Sequence, residues 1–143
     1  MNDYVVIRVP RKAIWAGLLL LGALSIVLPL RVFGDAKVGP LMSQALPDIP
    51  GKELTAVMVN YAPGGKSAAH RHAGDVFAFV VSGSIRSQNS ATGPARVYQA
   101  GEAFFEPAGS KHLVSENGST TEPARLLAVF VADAHAQLTT WEK

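Results

Sequence analysis

Cysteine is absent from this 143-residue chain. That excludes disulfides, thiolate metal ligands and cysteine nucleophiles. It leaves the compartment open, because a cysteine-free domain tolerates oxidising and reducing surroundings alike. Charge is sparse, at 17% Asp, Glu, Lys and Arg, and its surplus is local. Residues 1–36 hold Arg8, Arg11, Lys12 and Arg31 against Asp3 and Asp35, while the remaining nine basic residues face nine acidic ones. The net charge of +2 therefore belongs to the N-terminal segment. The rest has no basic patch with which to bind nucleic acid. No internal repeat and no long helical period follow residue 36. No Ser-His-Asp set is readable either, since Ser67, Ser82 and Ser110 stand in turn contexts. Gly64-Gly65-Lys66-Ser67 ends like a phosphate loop, but Asn60 stands where its first glycine belongs, so it reads as a strand-connecting turn.

What the N-terminal segment does have is an order. Basic residues precede an uncharged apolar run over residues 13–30, and small residues Gly34 and Ala36 follow. A secretory signal has this order. The run is also near the ~20 residues that a membrane-spanning helix needs. Residues 1–36 are thus expected to be an apolar helix serving as signal peptide or membrane anchor. The barrel would then lie in the periplasm or be otherwise exported, with the N-terminus cytoplasmic.

Residues 37–53 contain Pro40, Pro47, Pro50 and Gly51, which reads as an extended arm. Short β-rich stretches then follow one another at 54–61, 76–81, 85–87, 96–98, 103–105, 112–114 and 126–131, separated by Gly and Pro turns. That pattern predicts an all-β sandwich or barrel over residues 54–143. Phe77, Phe79, Val81, Phe104, Leu126, Ala128 and Phe130 are the expected core. Residues 132–137 read as a short helical turn. Asn117-Gly118-Ser119 matches a glycosylation sequon but reads as a turn.

Three of the four histidines carry the chemistry. On a strand, residues two apart share a face, so His70 and His72 aim into one space. His112 follows the turn signal Pro107-Ala108-Gly109. With the two strands facing each other, three neutral imidazoles converge as a metal site with open positions. His135 stands apart and is expected to face solvent.

These residues also carry a resemblance. Gly64, His70, His72 and Gly83 fall on the spacing of the first cupin motif, with Val76 in its glutamate slot. Gly101, Pro107, Gly109 and His112 fall on that of the second, with Glu116 in its asparagine slot and Asn117 one place late. The chain resembles a small single-domain cupin over roughly residues 54–133. The resemblance implies a double-stranded β-helix, a jelly-roll barrel, and a divalent transition ion (Fe, Zn, Mn, Ni or Cu) on His70, His72 and His112. It also implies a small oxygen-rich ligand or substrate, with dioxygenase or isomerase chemistry as one reading and non-catalytic capture as the other. Cupins commonly pair, so a homodimer is expected. With no glutamate at position 76, Asp75 is a candidate replacement ligand, and Glu102 and Glu106 are candidates for a distant fourth ligand. Asp75 would point away if Val76 points in, and Glu106 would support the turn at Pro107. Tyr61 or Glu106 could reach the mouth as an acid or base.

Overall fold

Among the described residues glycine and proline punctuate the chain into eleven strands. The computed structural model describes residues 36–142. The expected leader, except Ala36, lies outside them. Among the described residues no helix is long and apolar enough to cross a membrane. All strands pair antiparallel, in two sheets. They are β1 (Lys37–Ala45), β2 (Lys52–Tyr61), β3 (Lys66–Ser67), β4 (His70–His72), β5 (Asp75–Ser82), β6 (Ser84–Asn89), β7 (Arg96–Gln99), β8 (Ala103–Glu106), β9 (Lys111–Asn117), β10 (Ala124–Asp133) and β11 (Thr139–Trp141). One sheet runs β1-β2-β10-β5-β8, the other β11-β4-β9-β6-β7 with β3 beside β9. This is the expected all-β, jelly-roll type of barrel.

The proline-rich stretch forms its own edge strand. β1 pairs with β2 of the same chain from Lys37–Asn60 to Ala45–Glu53, and the register slips between Pro40 and Met42. Proline has no N–H to give the ladder, so an edge or bulge is where it fits. Residues 132–137 make no helical turn. β10 runs on to Asp133, and a turn follows in which Ala136 N–H donates to the Asp133 carbonyl and His135 takes φ 63°.

The core differs from expectation in one strand. Val76, Ala78 and Val80 face inward, while Phe77 is 48% and Val81 38% exposed. The run from 76 to 81 is apolar at every position, so hydrophobicity alone cannot choose its face. Phe79, too, lies on the outer face. The buried cluster joins Val59, Tyr61, Ala78, Val80, Ile85, Ala124 and Leu126, with Tyr98 and Phe104 packed against it. A second cluster of Val76, Ala128 and Phe130 lies beside the histidines.

One glycine is dictated by packing as well as conformation. Gly83 turns β5 into β6 at φ +71°, and a Cβ there would sit 2.6 Å from the Pro123 carbonyl oxygen. Left-handed backbone and close approach both require glycine. The turn sets the register that carries the inner face of β5 towards the site.

Candidate metal centre

β4 is only three residues long, and its alternation settles the first pair. His70 and His72 are buried, and Arg71 between them turns outward. β4 lies next to β9 in one sheet, with His70 directly opposite His112. The strands are neighbours rather than facing across the barrel, as the sequence pattern had suggested. A cross-strand pair holds its Cβ atoms about 5 Å apart, which is close enough for imidazoles to converge. Ring centroids lie 4.7 Å apart for His70 and His72 and 5.0 Å for His70 and His112. One nitrogen of each ring falls within 4.8 Å of the other two. These three residues could hold a metal ion.

Outer contacts fix the first two rings. His70 Nδ1 lies 2.7 Å from the Ala68 carbonyl oxygen. His72 Nδ1 lies 3.1 Å from the Leu138 carbonyl oxygen and 3.2 Å from Thr139 Oγ1. A carbonyl only accepts, so Nδ1 carries the proton in both and Nε2 keeps its lone pair. The partners of His72 come from the C-terminus, which the strand pattern did not bring into view. β11 pairs with β4, Thr139 against His72 and Trp141 against His70. The Trp141 ring meets His70 edge-on at 5.1 Å. Glu142 anchors this strap to Arg71 at 2.7 Å and to Lys111 at 3.4 Å.

His112 is engaged at both nitrogens. Nδ1 is 2.9 Å from Glu106 Oε2 and Nε2 is 2.9 Å from Ser87 Oγ. A carboxylate accepts, so Nδ1–H donates to Glu106 and the Ser87 hydroxyl donates to Nε2. Serine, histidine and glutamate thus stand in the line of a nucleophilic relay that the sequence did not reveal. Ser87 is buried, however, at 5% exposure, with its hydroxyl turned to the His112 ring. Its role in this arrangement is to hold the ring.

Of the two candidate carboxylates Glu102 and Glu106, Glu106 is the one that lines the cavity, as one of its expected roles required. Glu102 accepts the Gln99 N–H at 2.6 Å and shapes the Gly101 turn. Glu106 is 3% exposed, lines the site and takes a 3.3 Å hydrogen bond from Asn89 Nδ2. A signal for this was present, because Glu106 lies two residues after Phe104 and must share its face. Asp75 points out as expected, its Oδ1 accepting the Ala108 N–H. His135 is exposed. Asn117 is buried, its Nδ2 donating to the Ala62 and Glu122 carbonyls, so the sequon is structural.

Burial dominates the electrostatics. It lowers His70 from 6.5 to about 4, against the pull of the Ala68 hydrogen bond. It lowers His72 too, against the opposing charge of Glu106. Both therefore keep neutral, ligating nitrogens below the ~6.5 at which free imidazole protonates. Burial acts to raise Glu106, but the hydrogen bond from His112 and the nearby imidazoles outweigh it and hold the carboxyl below its ordinary value. Burial raises Tyr61, which keeps its phenol protonated.

The histidines open on a cavity of about 90 Å³. One wall is apolar, with Val57, Val59, Val76, Leu126, Ala128 and Phe130, and Val76 stands beside the site as expected. Tyr61, Ser67, Ser115, Thr139 and Glu106 are polar, and the Tyr61 hydroxyl lies 2.7 Å from Ser115 Oγ. The donor set fits a divalent transition ion. It offers neutral imidazoles, two of them with Nε2 free and the tautomer fixed.

The family model described as "Cupin domain" matches residues 57–130. No curated protein matches the sequence. Among solved structures, an uncharacterized conserved protein with a double-stranded β-helix domain from Klebsiella pneumoniae is 22% identical. The match has TM-score 0.59 and covers 77% of this chain and 87% of that one. A cupin domain from Bordetella pertussis is 16% identical, with TM-score 0.52 and coverage of 69% and 95%. The DMSP lyase DddQ of Ruegeria pomeroyi is 20% identical, with TM-score 0.53 and coverage of 62% of this chain. The chain spans only 42% of that lyase. At these identities the likeness is one of fold.

Proposed function

The chain belongs to the cupin domain family, and on that premise we propose that it is a metal-dependent enzyme acting on a small oxygen-rich molecule. His70, His72 and His112 would be the ligands. The observation that carries the reading is the buried triad itself, with His70 and His72 each tied by Nδ1 to a backbone carbonyl. A bound divalent ion supplies a Lewis acid for a chelating oxygen ligand or, as iron, a centre for oxygen chemistry. The chain's own residues do the rest. Val76, Ala128 and Phe130 exclude water from one side. The Tyr61 and Ser115 hydroxyls, 2.7 Å apart, line the cavity as polar contacts for the ligand. A cavity of about 90 Å³ suits a small ligand. Polar groups other than the three ligands lie in this cavity, which favours turnover over a dry binding pocket. A DMSP lyase shares the fold, which is consistent with an enzymatic role without naming a substrate.

The rival reading is non-catalytic capture of a metal or small ligand. Both nitrogens of His112 are already engaged, which favours capture of a small ligand without an ion. Metal analysis comes first. The intact chain should hold one divalent transition ion, and His70→Ala and His112→Ala should lose it, while His135→Ala keeps it. Equal metal content in all four proteins would remove the site from consideration. Loaded protein is then offered small hydroxy and keto acids while oxygen uptake and products are followed. Tight binding without turnover of any would favour capture.

Two further readings belong to the same proposal. The basic start and the apolar run at 13–30 support export, with the barrel periplasmic and anchored to the inner membrane if the leader is retained. A C-terminal reporter active only in the cytoplasm would contradict this. The outer face of the first sheet supports a homodimer, because Phe77 and its β8 partner Phe105 are both about half exposed side by side.

A further inference from the structure

The carboxylate that the first motif lacks has a counterpart on the adjoining strand. Val76 of β5 and Glu106 of β8 are directly paired in register. Side chains at such paired positions lie on the same face of the sheet, about 5 Å apart. A glutamate at either position therefore reaches the same space from one strand to the side. Glu106 is 3% exposed, and it lines one cavity with His70, His72 and His112. Its Oε2 stands 2.9 Å from His112 Nδ1. Two donors each ~2.1 Å from a shared ion stand about 3.0–3.4 Å apart. The glutamate and the histidine are thus spaced nearly as adjacent ligands, with a proton between them. Ser87 Oγ, at 2.9 Å from Nε2, is placed to accept a hydrogen bond from Nε2–H if the ring changes tautomer. Asn89 Nδ2 holds the carboxylate in place from the side.

We propose that Glu106 has taken over the position Val76 leaves empty and is the fourth protein ligand of the ion. This rests on the three-histidine reading above. It changes the chemistry expected of the site. Three neutral imidazoles leave a divalent ion at +2, which draws anionic chelators strongly. With Glu106 bound the centre falls to +1 and the pull on anions weakens. Coordination by four protein groups also leaves fewer open positions, which matches the small cavity.

The test is zinc binding to the intact chain, by calorimetry, in the wild type, Glu106→Gln and the strand swap Val76→Glu with Glu106→Val. Loss of a group that merely orients a ligand costs about 10–100-fold in affinity. Loss of a ligand should cost at least the upper end, so Glu106→Gln should weaken zinc about 100-fold or more. The swap returns a carboxylate to the site from β5 and should recover affinity to within about tenfold of wild type. A group that acted only by holding His112 would not be rescued from the other strand. A zinc-loaded crystal structure should place a Glu106 oxygen about 2.0–2.2 Å from the ion. Wild-type affinity in Glu106→Gln, no recovery in the swap, or zinc on three histidines with Glu106 still on His112 overturns the proposal while leaving the triad standing. A wild type that binds no zinc removes the triad and Glu106 together.

Discussion

Acid should destabilise the metal-free protein in a window set by His70. Burial holds this imidazole at about 4 in the folded chain, against an ordinary 6.5. Above pH 6.5 both folded and unfolded forms leave it neutral, and it contributes nothing. Between 6.5 and about 4 the unfolded chain takes a proton that the folded chain refuses. Stability then falls with pH by about 1.4 kcal/mol per unit. Over the whole window the loss is about 3 kcal/mol, a ceiling because the cavity mouth lets solvent screen the charge. His72, lowered for the same reason, adds in the same direction. Glu106 acts in a separate window. Its carboxyl is held below its ordinary value of 4.5, so its stabilisation is complete above 4.5 and disappears only as pH falls through the lowered value. The assay is urea unfolding of chelator-treated protein at pH 7, 5.5 and 4.5, beside His70→Gln, which has no proton to take up. The wild-type curve should be steeper than the variant's between pH 6.5 and 4.5. Imidazole resonances of His70 should show a midpoint near 4 rather than 6.5. Parallel stability curves, or a midpoint above 6, would refute the argument from burial.

Gly83→Ala should destabilise the barrel by roughly 3 kcal/mol or more, combining left-handed strain with a collision at the Pro123 carbonyl. Gly101→Ala has a similar φ of +88° but open space around it, and should cost only about 1 kcal/mol, both read by thermal unfolding. Deleting residues 138–143 removes both partners of His72 Nδ1 and should weaken metal binding about 10–100-fold by calorimetry, while His72→Ala in the truncated chain should add less than it does in the full one. Val76→Glu alone should not tighten the site. It sets a second buried carboxylate against Glu106 and should cost the metal-free fold about 3 kcal/mol in urea. Phe77→Ser with Phe105→Ser should leave the barrel folded by circular dichroism and shift sedimentation to a monomer, and a wild type already monomeric at all concentrations would end the dimer proposal.

Local pattern was enough to read the class of fold and the shared face of His70 and His72. Alternation places His70 and His72 on one face whatever surrounds them, and Gly83, Gly101 and Gly109 mark turns because each takes a positive φ. Leu126, Ala128 and Phe130 were legible for the same reason, as an alternating set in a single strand. Contacts between distant strands decided the rest. An unbroken apolar run gives no preference between faces, so only pairing with β8 and β10 turned Val76 rather than Phe77 inward. That β4 and β9 lie side by side, and that β11 returns over His72, follows from sheet order, which no spacing along the chain encodes. Glu106 shows the division most clearly. Its inward face could be read from Phe104, but its place opposite Val76 and against His112 required β5, β8 and β9 to be assembled. Side-chain direction is a local property with a period of two, whereas the identity of a strand's neighbour depends on closure of the whole barrel.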